Sequence, residues 1–247
     1  MHKLGILDAS FLYAETPSTP MNIASLQLLE LPADAGPGWF DALKSFLAAR
    51  VGLIPFMTRR LKATPFTLDQ PVWVTAPDFD IDRHVKRVVV PPPGDLRALE
   101  KLVARLHEAA FDRRHPLWSF TLIDGLGPAL SPSKNGRRVV GWYCKYHHAC
   151  IDGMAGQAII DVLFSNDAKA LPPPAQSRPA DSEPGFLDLL FDAAKGVVDQ
   201  SLRGPEQWGA QLRATLALGR RAFAGEKGLG AFADSAPRTR FNVALGP

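Results

Sequence analysis

Two hydrophobic periods alternate along the chain and divide it into predicted elements. Over residues 23–31, Ile23, Ser25, Gln27 and Leu29 alternate with Ala24, Leu26, Leu28 and Glu30, which predicts a strand with a well-buried face. Residues 39–51 place Phe40, Leu43, Phe46, Leu47 and Ala48 at helical spacing, and Pro55 closes that region. Short strands are expected at 72–74, 84–90 and 118–123, and a longer one at 139–148 with large aromatics on its even positions. Asp95 has the chemistry of an N-cap for a helix running to about residue 110, with Leu99, Leu102, Val103, Leu106 and Ala110 on one face. Helical spacing returns over 153–164. The opening segment 4–13 is mostly apolar with Asp8 inside it, and its period assigns no element.

Composition sharpens the domain picture. With 247 residues, 46% hydrophobic and 21% charged, the chain is globular and long enough for one large domain or two small ones. Its 22 prolines are about twice the usual ~5%, and they cluster. The densest cluster marks an exposed linker over 166–184, which separates a mixed domain at 1–165 from amphipathic helices within 185–247. No apolar run approaches the ~18 residues of a membrane-spanning helix, and no signal peptide is read at the N-terminus. Two cysteines, Cys144 and Cys150, are too few and too close for a disulfide framework, which fits a cytoplasmic, reducing compartment. A net charge of +3 suits anionic lipid or a phosphorylated small molecule and is too small to argue for nucleic acid.

The candidate chemistry lies at the end of the 139–148 strand, in Tyr146-His147-His148-Ala149-Cys150-Ile151-Asp152-Gly153. Adjacent strand residues point to opposite faces, so one of the two histidines can face a given cavity. His148 shares its parity with Trp142, Cys144 and Tyr146, and His147 shares its parity with Tyr143 and Lys145. An imidazole there could act as a general base at neutral pH. Two histidines and Asp152 could instead ligate zinc, although diverging side chains disfavour it, or both histidines could be structural. Cys150 reads as a small apolar filler. The run Arg59, Arg60 and Lys62 could meet phosphates or simply face solvent.

The string from His147 to Gly153 resembles the HHxxxDG signature of CoA-dependent acyltransferases and condensation domains. Further motifs, in order, resemble bacterial wax ester synthase/diacylglycerol acyltransferases. These are Leu7-Asp8-Ala9-Ser10-Phe11-Leu12, Glu15-Thr16-Pro17 and Thr19-Pro20-Met21, Asp78-Phe79-Asp80-Ile81-Asp82 with His84-Val85, Leu106-His107, Asp112-Arg113, and Pro116-Leu117-Trp118. The resemblance implies an α+β fold, with a chloramphenicol-acetyltransferase-like half, a mixed β-sheet flanked by helices, followed by a helical connector. It implies acyl transfer from acyl-CoA to diacylglycerol or a long-chain alcohol, with His148 as general base. His147 and Asp152 match structural positions of the site, Asp152 through an arginine pair, and Gly153 gives the tight turn after the strand a residue without a side chain. Pro116, Leu117 and Trp118 are candidate substrate contacts, with packing as the alternative. No metal and no cofactor are implied, acyl-CoA being a substrate.

Family members are about twice this length and close the site with a second half, so a complementary C-terminal half is the implied partner. A catalytically silent lipid-binding or lipid-droplet protein of the same fold is the alternative. In 185–224, Leu187, Leu190, Phe191, Ala194, Val197 and Val198 form one apolar stripe, and Trp208, Leu212, Thr215, Leu216 and Phe223 form another. Such stripes fit either a bilayer interface or the missing half, so a peripheral position at the membrane or at lipid inclusions is expected.

Overall fold

The computed structural model describes residues 2–16, 18–131, 137–151, 159–164 and 183–196. The chain divides into two units, residues 1–63 with 70–183, and residues 64–69 with 184–247. In the first unit the strands are β1 (His2–Lys3), β2 (Asn22–Glu30), β3 (Arg59–Lys62), β4 (Val72–Thr75), β5 (Val85–Val89), β6 (Trp118–Asp124) and β7 (Val139–His147). Its helices are α1 (Ile6–Ala14), α2 (Trp39–Val51), the single turn α3 (Ile81–His84) and α4 (Leu96–Glu108). The α+β class expected from the sequence is the one observed.

A four-stranded sheet in the order β2-β7-β6-β5 carries the candidate site. β7 runs antiparallel to β2 and β6, and β5 joins β6 in parallel, so the sheet is mixed. The even positions of β7, Val140, Trp142, Cys144 and Tyr146, enter the main core with Trp118, Phe120 and Leu122 of β6 and with Trp39, Leu47 and Val51 of α2. Ile159 and Leu163, on the helical stretch 159–163, belong to the same core. Tyr143, on the opposite face, packs with Leu99 and the apolar side of α4. Period two in β7 and period 3.6 in α4 thus give one sheet two covered faces, which is why every residue of β7 is buried. Asp95 caps α4 as expected, its carboxylate accepting the Ala98 N–H at 2.8 Å.

At the other end of α4, Lys145 takes over the capping role. Its Nζ donates to the carbonyls of Leu106 and Ala109, both at 2.7 Å, and lies over the Phe111 ring. These are the orphan acceptors of a helix terminus, so a buried cation on a strand finds partners there. Burial pushes its ammonium down to about 8, with Glu15 opposing the shift.

A second, three-stranded sheet runs β1-β4-β3. Sequence periodicity assigned no element to β1, β3 or α1. The basic run proves to be β3, in which Leu61 is buried while Arg60 and Lys62 each reach Glu183 at 2.7 Å. The expected strand at 84–90 begins one residue later, because His84 closes the α3 turn that Asp80 caps. His84 is buried between the rings of Phe79 and Trp118, and its Nδ1–H donates to the Trp118 carbonyl at 2.9 Å.

Burial lowers the His84 pKa below its usual value. An unfolded chain then takes up a proton near pH 6.5 that the folded one refuses, so stability is full above that pH and falls as the pH drops through the folded value. Urea unfolding at pH 7.5, 6.5 and 5.5 should show this loss. In His84→Phe the slope should flatten, while stability at pH 7.5 falls by roughly 1–3 kcal/mol for the unsatisfied Trp118 carbonyl. An unchanged slope would remove His84 as its source.

In the second unit, residues 186–196 are helical and Phe66 meets Phe186 edge-on at 6.4 Å. Leu189 and Ala193 are buried there, whereas Leu187 and Phe191 of the first expected stripe are 63% and 73% exposed. The stripe around Trp208 and residues 166–182 of the expected linker lie outside the described residues.

Candidate active site

Both histidines sit where the central strand ends, pinned by different neighbours. The His147 N–H donates to the Leu117 carbonyl, just ahead of β6, at 3.0 Å. The His148 N–H donates to the Met21 carbonyl, just ahead of β2, at 2.8 Å. The strand expected to reach residue 148 stops at His147, and His148 opens a tight turn, His148–Cys150. Strand parity therefore places His147 but not His148.

His147 is completely buried, and its Nδ1 accepts the Ala149 N–H at 3.0 Å. That bond leaves the proton on Nε2, which faces Glu15 Oε1 at 3.4 Å, an electrostatic contact too long for a strong hydrogen bond. Burial holds its pKa below the usual value; Glu15 opposes this and Arg113 adds to it. The ring is therefore neutral at pH 7. Glu15 Oε2 in turn accepts from Arg113 at 2.7 Å, and the same guanidinium nitrogen donates to the Leu12 carbonyl at 2.8 Å.

His148 differs in exposure and in what its ring touches. Its ring is partly exposed and stacks on Phe11 with centroids 3.7 Å apart and planes 17° from parallel. Its Nδ1 is buried without a hydrogen-bond partner among the described residues. His147 Nε2 is likewise buried without a hydrogen bond, so it is exposure that sets His148 apart: His148 reaches solvent and His147 does not. A neutral imidazole always keeps one nitrogen lone pair, so this ring can accept a proton without losing a structural bond.

The remaining candidates occupy supporting positions. Pro116, Leu117 and Trp118 are buried. Trp118 donates its indole N–H to the Met57 carbonyl at 2.8 Å, and the Leu117 carbonyl holds His147. Asp152 and Gly153 lie outside the described residues. Cys150 packs partly buried beside Ala149 and Leu117, and burial raises its thiol pKa, so the thiolate is suppressed. No group of three metal-ligating side chains occurs among the described residues. Periodicity and spacing did not single out Phe11, Glu15, Met21 and Arg113, which hold the histidine pair. Their only signal was their place inside the quoted N-terminal and Asp112-Arg113 motifs.

Residues 4–247 match the wax ester synthase/diacylglycerol acyltransferase catalytic domain. The chain belongs to this family. The probable diacylglycerol O-acyltransferase tgs2 of Mycobacterium tuberculosis is 32% identical over 247 residues, covering 97% of this chain and 50% of that protein. The probable diacylglycerol O-acyltransferase tgs3 from the same species is 33% identical over 212 residues, covering 86% of this chain and 72% of that protein. Among solved structures, the wax ester synthase/diacylglycerol acyltransferase from Marinobacter aquaeolei VT8 matches with a TM-score of 0.54 and 29% identity, over 69% of this chain and 41% of that one. The likeness bears out the acyltransferase-like architecture that the motifs implied. The chain spans about half the length of most of the curated relatives it matches.

Proposed function

We propose that this chain supplies the histidine-bearing half of an O-acyltransferase that moves a fatty acyl group from acyl-CoA to diacylglycerol or a long-chain alcohol. The observation that carries this reading is the partly exposed His148 ring, held by Phe11 and the Met21 carbonyl at the end of the central strand of a family domain. His148 takes the proton of the acceptor hydroxyl as that oxygen attacks the thioester carbonyl carbon. The tetrahedral intermediate then expels CoA by breaking the carbon–sulfur bond, and the imidazolium returns the proton to the leaving thiolate. A positioned base contributes about 10²–10⁴-fold, and orientation of the two bound substrates adds more. His147 acts through position: neutral, bonded at Nδ1 to the Ala149 N–H and facing the Glu15 carboxylate at Nε2, it fixes the turn that presents His148. Asp152 and Gly153 serve the site as structural positions in this reading, and Pro116, Leu117 and Trp118 support it from within the fold. A complementary C-terminal half closes the site, and the assembled protein works at a membrane or lipid-inclusion surface. No described helix is long and apolar enough to cross a membrane.

The test is an ester-forming assay with palmitoyl-CoA and either hexadecanol or diacylglycerol, with the chain alone and with a C-terminal half from a relative. Ester should form when the second half is supplied. A complex that assembles and binds palmitoyl-CoA yet makes neither ester would favour the silent lipid-binding alternative.

A further inference from the structure

The outer face of α4 carries an arrangement that folding does not explain. Arg97, Lys101 and Arg105 recur every four residues, so they line one exposed side of the helix over about 12 Å. Cations at i and i+4 repel one another, and Arg97 sits in a first turn that has no acidic residue, where the helix dipole also opposes it. Among the described residues no carboxylate forms an ion pair with any of the three, although Glu100 and Glu108 lie on the same helix. The cations border an open groove of about 440 Å³, whose other wall includes Pro91 and Pro93. Asp95 also lines it, with its carboxylate engaged by the Ala98 N–H. That wall is anchored: Gly94, at φ +70°, packs against Gly125 and accepts the Gly127 N–H at 2.9 Å.

We infer that this face of α4 docks on an anionic bilayer surface, with lipid phosphates in the groove against Arg97, Lys101 and Arg105. Two features favour a lipid surface over a soluble phosphate compound. The cations are spread along a line and not gathered around one point. The groove is open to solvent and, among the described residues, has no aromatic wall for a nucleotide base. The inference deepens the surface-bound part of the proposed function and rests on that part alone; ester formation is measured separately, so either can fail while the other stands.

The experiment is co-sedimentation of the full 247-residue chain with vesicles of phosphatidylcholine alone and of equal parts phosphatidylcholine and phosphatidylglycerol. Binding should require the anionic lipid and weaken as salt is raised. The Arg97→Gln/Lys101→Gln/Arg105→Gln variant should lose roughly a hundredfold in partition coefficient, at about fivefold per basic side chain. A control removing the same net charge at Lys44, Lys86 and Arg114 should lose far less, and circular dichroism should show both variants folded. Equal losses in the two variants would reduce the effect to net charge and overturn the assignment. Binding that ignores lipid charge, or that survives the triple substitution, would place the anchor elsewhere, such as the exposed face of 186–196. Inorganic phosphate or CoA binding that the triple variant abolishes, without vesicle binding, would assign the groove to a soluble phosphate and also overturn it.

Discussion

Replacing His148 with alanine should lower ester formation by about 10²–10⁴-fold in the assembled enzyme, with little change in thermal unfolding. The asymmetry follows from how the ring is held. The His148 backbone anchors the turn through the Met21 carbonyl, which alanine preserves, while the side chain makes no hydrogen bond through Nδ1 and is partly exposed. His147→Ala should behave in the opposite way. It empties a fully buried site, removes the acceptor for the Ala149 N–H and leaves Glu15 without its imidazole partner. A cost of about 2–4 kcal/mol is expected, with activity falling through loss of the folded turn. Steady-state kinetics and melting curves on both variants decide the matter. Equal activity losses with unchanged melting would contradict this division of roles.

The largest stability effect is expected at Trp118. Its ring is 1% exposed, stacks on His84 with centroids 4.5 Å apart, tilts against Phe120 and donates to the Met57 carbonyl. Trp118→Ala therefore opens a cavity and orphans a buried acceptor at once, a loss of about 3–5 kcal/mol or more. Against a typical domain stability of about 5–15 kcal/mol, that is a large fraction, and the melting temperature should drop by roughly 6–20 °C. Trp118→Phe keeps most of the ring but loses the N–H, so its drop should be clearly smaller. If alanine melted within about 2 °C of the parent chain, Trp118 would be a surface ligand for substrate and not a core residue.

Local pattern and composition made β2, α2, α4, β6 and β7 legible in the sequence, but the well-buried face expected of β2 is not observed: it is an edge strand with no buried residue, and Leu26 and Leu28 are exposed. α4 is the clearest case, with a capping aspartate, an apolar side that packs and a charged side that does not. Where structure comes from distant partners, the pattern was silent. β1 is two polar residues paired with β4, and β3 is three cations around one buried leucine. α1 keeps Ile6 and Leu7 exposed, so its apolar residues do not mark its inner face. The histidine pair was visible as a motif, but its supports were not. The Glu15–Arg113 pair spans nearly a hundred residues, a separation that no periodicity reports. Parity failed at His148 for a local reason: the chain leaves the strand one residue before it.

The pairing of β2 with β7 also sets the order in which the molecule can be made. Asn22 lies opposite His147, some 125 residues downstream. At a synthesis rate of about 5–20 residues per second, β2 emerges from the ribosome roughly 6–25 s before its partner exists. During that interval Leu26 and Leu28 have no strand beside them, and a contact this distant in sequence forms slowly even after release. Phe11, Glu15 and Met21 must wait equally long for the histidines they hold. The turn that carries the histidines is thus among the later described features to assemble on a nascent chain, and β2 stays unpaired until it does.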